Sequence, residues 1–306
     1  MNVGLIDVDM KNTGKKIFPT LTLMKLSAYH KAKGDNVTLL SVDQYLNGDI
    51  FDKYDKVYAS CIFSKNKGIA KRLACMGVEV GGSGYDMAIK LPYEIEHIMP
   101  DYSLYGITDT AYGFLTRGCP RGCPFCIVAE KEGAKSYKVA NLSEWWSGQK
   151  IIKLLDPNIL ACQDSKKLLK QLVDSKAYVD ITQGMDARLL NEENIDLIVN
   201  MRVKNIHFAW DNPHDEVVPD RLKFFKAYTK NLASDYVKHK CYVLTNYWST
   251  LSDDLYRIYW LRDNNFDPYV MVYDKDNAPK EIRKLQRWCN NKMIFRSEPD
   301  FSKYER

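Results

Sequence analysis

Three cysteines fall within eight residues, in the stretch Thr116-Arg117-Gly118-Cys119-Pro120-Arg121-Gly122-Cys123-Pro124-Phe125-Cys126-Ile127. Their spacing is Cys119-x3-Cys123-x2-Cys126, with Phe125 directly before the last. Gly118, Pro120, Gly122 and Pro124 exclude a regular helix and favour a turning loop. Such a loop can aim three sulfurs at a common centre. Three thiolates can hold three corners of a cubane iron–sulfur cluster, whose full protein ligation takes four cysteines, so one iron is left open to bind something else. A zinc knuckle is the first competing reading, and it wants a fourth Cys or His at similarly short spacing. No such residue lies between Cys126 and Cys162, and the next histidine downstream is His207. A disulfide in a secreted loop is the second, and the first residues do not read as a signal peptide.

The elements that must position this loop alternate between strand and helix. Thr110–Leu115 is predicted to be a strand running straight into it. Ile151–Leu155, Tyr178–Ile181, Asn205–Ala209, Lys240–Leu244 and Tyr269–Tyr273 read as five more strands. Helical periods fall over 164–176, with Asp164 as N-cap, and over 192–201, 253–262 and 279–290. Six βα units in series predict a partial parallel barrel, whose active site is built just past the C-terminal strand ends. Those positions are polar here: Asp156, Asn158, Gln183, Asp186, Arg188, Asp211, Asn212, Thr245 and Asn246. Asn158 and Asn212 are also explained as turn formers. Gln183 and Arg188 are not turn residues, and each follows a strand predicted to be buried.

Ahead of the loop, Asn2–Val8, Asn36–Val42, Lys56–Phe63 and Val78–Val80 read as strands, with helices over 21–33 and 69–76. This pattern predicts a separate α/β domain over residues 1–105, followed by the barrel over 106–306. The chain of 306 residues is 45% hydrophobic and 27% charged, an ordinary globular composition. No apolar run approaches the roughly 20 residues that span a bilayer. The net charge of +5 is spread along the chain, so it permits an anionic partner without requiring one. Of eight cysteines, Cys61, Cys75, Cys162, Cys241 and Cys289 sit singly among apolar neighbours, as small buried hydrophobes do. The expected compartment is reducing, the cytoplasm.

The cysteine spacing, with Phe125 in its slot, resembles the signature of the radical S-adenosylmethionine (SAM) superfamily. That resemblance implies a [4Fe–4S] cluster on Cys119, Cys123 and Cys126, with SAM on the open iron. It further implies reductive cleavage of SAM to a 5′-deoxyadenosyl radical that abstracts hydrogen from a substrate. The backbone at Phe125 would lie against the adenine, and Asp156 and Asn158 would stand where the family meets the methionine amino group. Gln183, Asp186, Arg188 and Asp211 would contact ribose, SAM carboxylate or substrate, with Arg188 the carboxylate partner because guanidinium binds carboxylate bidentately. A one-electron donor such as flavodoxin or ferredoxin is implied. A small molecule, a nucleotide and a peptide all stay open as substrate. An α/β domain ahead of the loop resembles the Rossmann-like cobalamin-binding domain of one branch of the superfamily. That branch supplies a histidine in the loop after the first strand, whereas Asp7–Gly14 reads DVDMKNTG. His30 and His97 lie elsewhere. The expectation is therefore a domain without cobalamin that covers the open side of the barrel. A cobalamin-dependent methyltransferase is the alternative enzyme, and a zinc-holding module the alternative of another class.

Overall fold

From Val3 to Asp7 every residue of β1 (Asn2–Asp7) is buried, as in a parallel strand covered on both faces. The computed structural model that shows this describes residues 1–10, 18–48, 53–230 and 238–305. The loop Asp7–Gly14 is thus described only as far as Met10, and 11–14 lie outside the described residues. Contacts divide the chain into Met1–Gly113 with Ala140–Gln149, and Phe114–Val139 with Lys150–Arg306.

In the first unit β1 lies between β2 (Asn36–Leu40) and β3 (Lys56–Ser60), and β4 (Glu79–Gly81) extends a parallel sheet in the order β2-β1-β3-β4. Val3 and Leu5 join Leu23 and Leu26 of α1 (Leu21–Ala32) in one apolar cluster. Ile6, Leu40 and Ala59 form another, to which α2 (Val42–Asn47) adds Tyr45 and α3 (Lys67–Cys75) adds Ala70 and Leu73. Each fully buried aliphatic side chain contributes about 1.5–3 kcal/mol. The predicted strand over Asn36–Val42 stops at Leu40, because Ser41 and Gln44 form a capping box that starts α2. Gln44 N donates to Ser41 Oγ at 3.1 Å and Ser41 N donates to Gln44 Oε1 at 2.8 Å. α4 (Tyr93–Glu96) and β5 (Thr110–Gly113) follow.

In the second unit β6 (Thr116–Arg117), α5 (Val128–Glu132) and β7 (Tyr137–Lys138) make the excursion that carries the cysteines. Then β8 (Ile151–Leu154), β9 (Tyr178–Met185), β10 (Arg202–Ala209), β11 (Lys238–Thr245) and β12 (Asp267–Val272) pair in parallel in chain order. The connecting helices are α6 (Ser165–Ser175), α7 (Glu192–Asn200), α8 (Val217–Thr229) and α9 (Leu251–Asp263), with α10 (Lys280–Asn290) and α11 (Lys292–Ser297) after β12. Each long helix buries a pair at helical spacing: Leu168/Leu172, Ile195/Ile198, Leu222/Phe225, Ile258/Leu261 and Leu285/Trp288. The architecture is mixed α/β with parallel sheets. α8 was not anticipated from sequence, and it carries a proline. Pro219 falls in the first turn, where a missing N–H costs nothing. Asp164 does precede α6, but its side chain makes no cap bond. Among the described residues no helix is long and apolar enough to cross a membrane.

Candidate metal centre

The cysteine loop is closed at its base. β6 and β7 pair antiparallel, Thr116 with Lys138 and Arg117 with Tyr137. Arg117 stacks 3.3 Å from the Phe114 ring centroid, and its Nη1 donates to Glu132 Oε1 at 2.6 Å. The other Glu132 oxygen accepts from Gly118 N at 3.2 Å, and Cys119 N donates to Gly133 O at 3.1 Å. Gly118 has φ +78°, and a Cβ there would meet Lys135 O at 2.1 Å, so only glycine fits. The backbone thus turns sharply onto Cys119.

All three thiols are free of disulfides, Cys119 and Cys123 half-buried and Cys126 exposed. The Cys123 thiol is pushed above its ordinary range by burial first, then by the charge of Asp211 and by Cys126 and Cys119, with Arg188 opposing. Those groups therefore share one neighbourhood. Among the described residues no three His, Cys, Asp or Glu side chains gather around a point that could hold a single ion. A structural zinc needs four ligands at about 2.0–2.3 Å from one centre. A cubane instead spreads its thiolates over separate irons, and three soft sulfur donors on a fixed loop fit it.

Behind the loop lie several of the predicted strand-end residues. Asp156 is 4% exposed and spends both oxygens on the backbone entering the loop. Oδ1 accepts from Leu115 N at 2.8 Å; Oδ2 accepts from Thr116 N at 2.7 Å and Thr116 Oγ1 at 2.6 Å. Burial pushes this carboxyl up to about 7 against those donors. Asp156 thus holds the loop's stem.

Asn158 and Asp186 do reach the cysteine loop. Asn158 Nδ2 lies 3.5 Å from Cys119 Sγ and 3.5 Å from Asp186 Oδ2, while its buried Oδ1 has no partner among the described residues. Asp186 also accepts from Arg121 Nε at 2.5 Å and from Arg188 Nε at 2.7 Å. The arginine beside it and Arg121 outweigh burial and hold its carboxyl below the usual range. Arg121 belongs to the cysteine loop itself, so Asp186 fastens that loop to the end of β9. Arg188 reaches on to Asp215, Nη1 to Oδ2 at 3.0 Å. Two carboxylates already satisfy the guanidinium that was expected to meet a ligand carboxylate.

Asp211 follows β10, and burial pushes its carboxyl up to about 6, opposed by Arg257, a backbone bond to Leu244, and Arg188. Arg257 of α9 is fully buried and ties together the rim that carries Asp211. It donates to Trp210 O at 2.7 Å, Asp211 O at 2.8 Å, Leu244 O at 2.9 Å and Asp254 Oδ1 at 2.6 Å.

Other predicted positions stand apart from this group. β9 continues to Met185 instead of ending at Ile181, and its register against β10 shifts twice, at Val203/Asn205 and Asn205/His207. Gln183 is consequently an exposed mid-strand residue and not a strand end. Asn212 Oδ1 accepts from His214 N at 3.0 Å, the turn-forming role weighed for it. Thr245 Oγ1 donates to Met271 O at 3.4 Å, tying β11 to β12, and Asn246 Nδ2 donates to Tyr273 O at 2.9 Å just past both strands. Phe125 is half-buried, its ring 5.4 Å from Tyr247 and 5.5 Å from Trp248 in edge contacts. Sequence reasoning missed Thr116, Arg121, Arg257 and this aromatic group. Arg121, a lone charge inside the cysteine spacing, was the one detectable signal among them.

The strand ends of the first sheet are arranged otherwise. Asp7, 1% exposed, accepts on Oδ2 from Thr20 Oγ1 at 2.8 Å and Tyr105 OH at 2.7 Å. Asp9 accepts from Ile62 N at 2.5 Å, Phe63 N at 3.4 Å and Asn66 Nδ2 at 2.8 Å, which ends β3 at Ser60. His30 bonds Asp35 at 2.7 Å and Tyr58 OH at 3.1 Å, and His97 bonds Glu144 at 2.8 Å. Neither imidazole serves the described part of the loop after β1.

No family model matches the chain, and no curated protein matches it. Among solved structures its fold is similar to that of the radical SAM methyltransferase TsrM from Kitasatospora setae, determined with cobalamin and a [4Fe–4S] cluster bound. The match has a TM-score of 0.63 at 10% sequence identity and covers 89% of this chain and 74% of that one.

Proposed function

We propose that this chain is a radical SAM enzyme holding a [4Fe–4S] cluster on Cys119, Cys123 and Cys126. One observation carries the reading: a three-thiol loop is fastened through Arg121–Asp186 and Asp156 to the C-terminal strand ends of a parallel sheet. The likeness in fold to a solved protein of that chemistry supports it. When bound, the cluster and SAM together supply a one-electron cleavage of SAM that yields a hydrogen-abstracting 5′-deoxyadenosyl radical.

The chain's own residues would bind and orient. The thiolates would hold three irons, with the Gly118 turn and Glu132 setting the course of the backbone into the loop. Asn158 Oδ1 is a desolvated acceptor without a partner among the described residues, the kind of atom that a bound ammonium group would satisfy. Arg188, already balanced by Asp186 and Asp215, gives a fixed positive pole beside Cys123. Asp211 offers a carboxyl at the same rim, and the Phe125 backbone offers amide groups for the adenine. An electron donor such as flavodoxin or ferredoxin would reduce the cluster.

A cobalamin-dependent methyltransferase is the second reading, favoured by the cobalamin in the TsrM structure. The missing histidine after β1 is not sufficient ground to exclude cobalamin, because that match spans most of the first unit as well. Among the described residues there, His30 is held by Asp35 and Tyr58 and His97 by Glu144.

The test is product analysis. Reduced, anaerobically reconstituted protein incubated with SAM should release 5′-deoxyadenosine. S-adenosylhomocysteine as the sole product would replace the first reading with methyl transfer.

A further inference from the structure

We infer that Asn158 sets the reduction potential of the cluster by donating an amide N–H to the Cys119 sulfur. The inference rests on the cluster reading and goes beyond it, to a residue that touches no iron. Asn158 is 3% exposed, and its backbone carbonyl accepts from Ser136 Oγ at 2.9 Å, so its position is fixed. The amide orientation is also fixed. Nδ2 faces two acceptors, Cys119 Sγ and Asp186 Oδ2, and a flipped amide would set an oxygen against both.

The two contacts, each 3.5 Å, are not equal. An N–H···O bond is usually about 2.9–3.0 Å, so the approach to Asp186 is long. Sulfur is the larger atom, and the same separation is an ordinary one for it. Asp186 is in any case served by Arg121 and Arg188. The amide's well-formed bond is therefore to Cys119.

An N–H pointed at a cluster sulfur stabilises the electron-rich state. Reduction adds negative charge to cluster and thiolates, so the bond favours the reduced form and raises the potential. Half-buried Cys119 is where this should count most, because a lower local dielectric strengthens the interaction. Around Cys123 the charges of Arg188 and Asp211 oppose each other. Cys126 is exposed to water. Asn158 is thus the neutral donor able to tune the cluster without changing the net charge of the site.

The experiment is an EPR-monitored redox titration of the reconstituted full chain, with iron content measured in parallel. Asn158→Ala should keep its iron and shift the reduced-to-oxidised ratio at a fixed poise about tenfold toward oxidised, a fall of about 59 mV for one electron. Asn158→Gln, which keeps an amide, should fall in between. Deuterium ENDOR on the wild-type cluster should also detect one exchangeable proton coupling that Asn158→Ala lacks. This reading survives even where the alanine variant loads poorly, because an absent coupling in the wild type overturns the proposal. A fully loaded Asn158→Ala cluster with an unchanged midpoint overturns it too, and leaves the cluster reading standing. A wild-type chain that takes up no cluster overturns both.

Discussion

The two sheets place acidic and amide side chains at the same kind of position, just past parallel strand ends, and use them differently. In the first unit Asp7 is satisfied by Thr20 and Tyr105, and Asp9 by the backbone of Ile62 and Phe63 and by Asn66. Every one of these partners belongs to the unit's own frame. In the second unit Asp156, Asn158 and Asp186 turn toward the cysteine loop. Strand-end polarity alone does not mark a site. What marks it is a carboxylate or amide whose partner belongs to a chemically reactive loop.

The largest expected effect sharpens the second half of this contrast. Arg257→Ala would leave Asp254, 0% exposed, without its charge partner and strip a donor from four carbonyls. Breaking a buried ion pair by removing one member costs about 3–5 kcal/mol, which urea unfolding would register. Asp211 should lose its fixed place at the rim as well. A loss under 1 kcal/mol would show that the rim stands without Arg257.

At about pH 4 Asp156→Asn should cost about 1–3 kcal/mol, because the amide NH2 would face a backbone N–H of Leu115 or Thr116. Its pH signature is specific. A carboxyl raised from an ordinary 3.8 to about 7 binds more protons folded than unfolded between those values. Its contribution to stability is full below about pH 4 and is lost as pH rises through about 7, with a slope of up to about 1.4 kcal/mol per pH unit. Unfolding free energies of wild type minus variant, measured from pH 4 to 8, should fall over that window. A flat difference would mean that Asp156 is ionised throughout. The variant should also load iron less completely, because the stem of the loop loosens.

The smallest effect is expected in the first unit. Asp9→Ala removes an acceptor for three donors at a half-buried place and should cost about 0.5–1.5 kcal/mol. Iron content and SAM cleavage should not change. Loss of iron in this variant, comparable to that of Asp156→Asn, would erase the contrast between the two sheets.

Much of this organisation was legible in the sequence. Apolar runs and helical periods place the strands of both parallel sheets and the helices α1, α3, α6, α7, α9 and α10, because doubly buried strands and amphipathic helices carry strong apolar signals, whereas α2, α4, α5, α8 and α11 were missed. The cysteine spacing marks the loop directly. What escaped was partnership. Nothing local distinguishes Asp156, whose oxygens go to the backbone 40 residues earlier, from Asp186, which binds an arginine 65 residues earlier. Gln183 was misplaced because the double register shift that prolongs β9 depends on its neighbour β10. Arg257 reads as a surface charge on α9 until the helix is docked.

The central claim is that three thiols on one fixed loop hold a cubane with an open iron. The direct measurement is iron and sulfide content after anaerobic reconstitution, for the wild type and for Cys119→Ala, Cys123→Ala and Cys126→Ala. About four iron and four sulfide per chain are predicted for the wild type, with near-complete loss in each variant. Full iron and sulfide in all three variants would contradict the account.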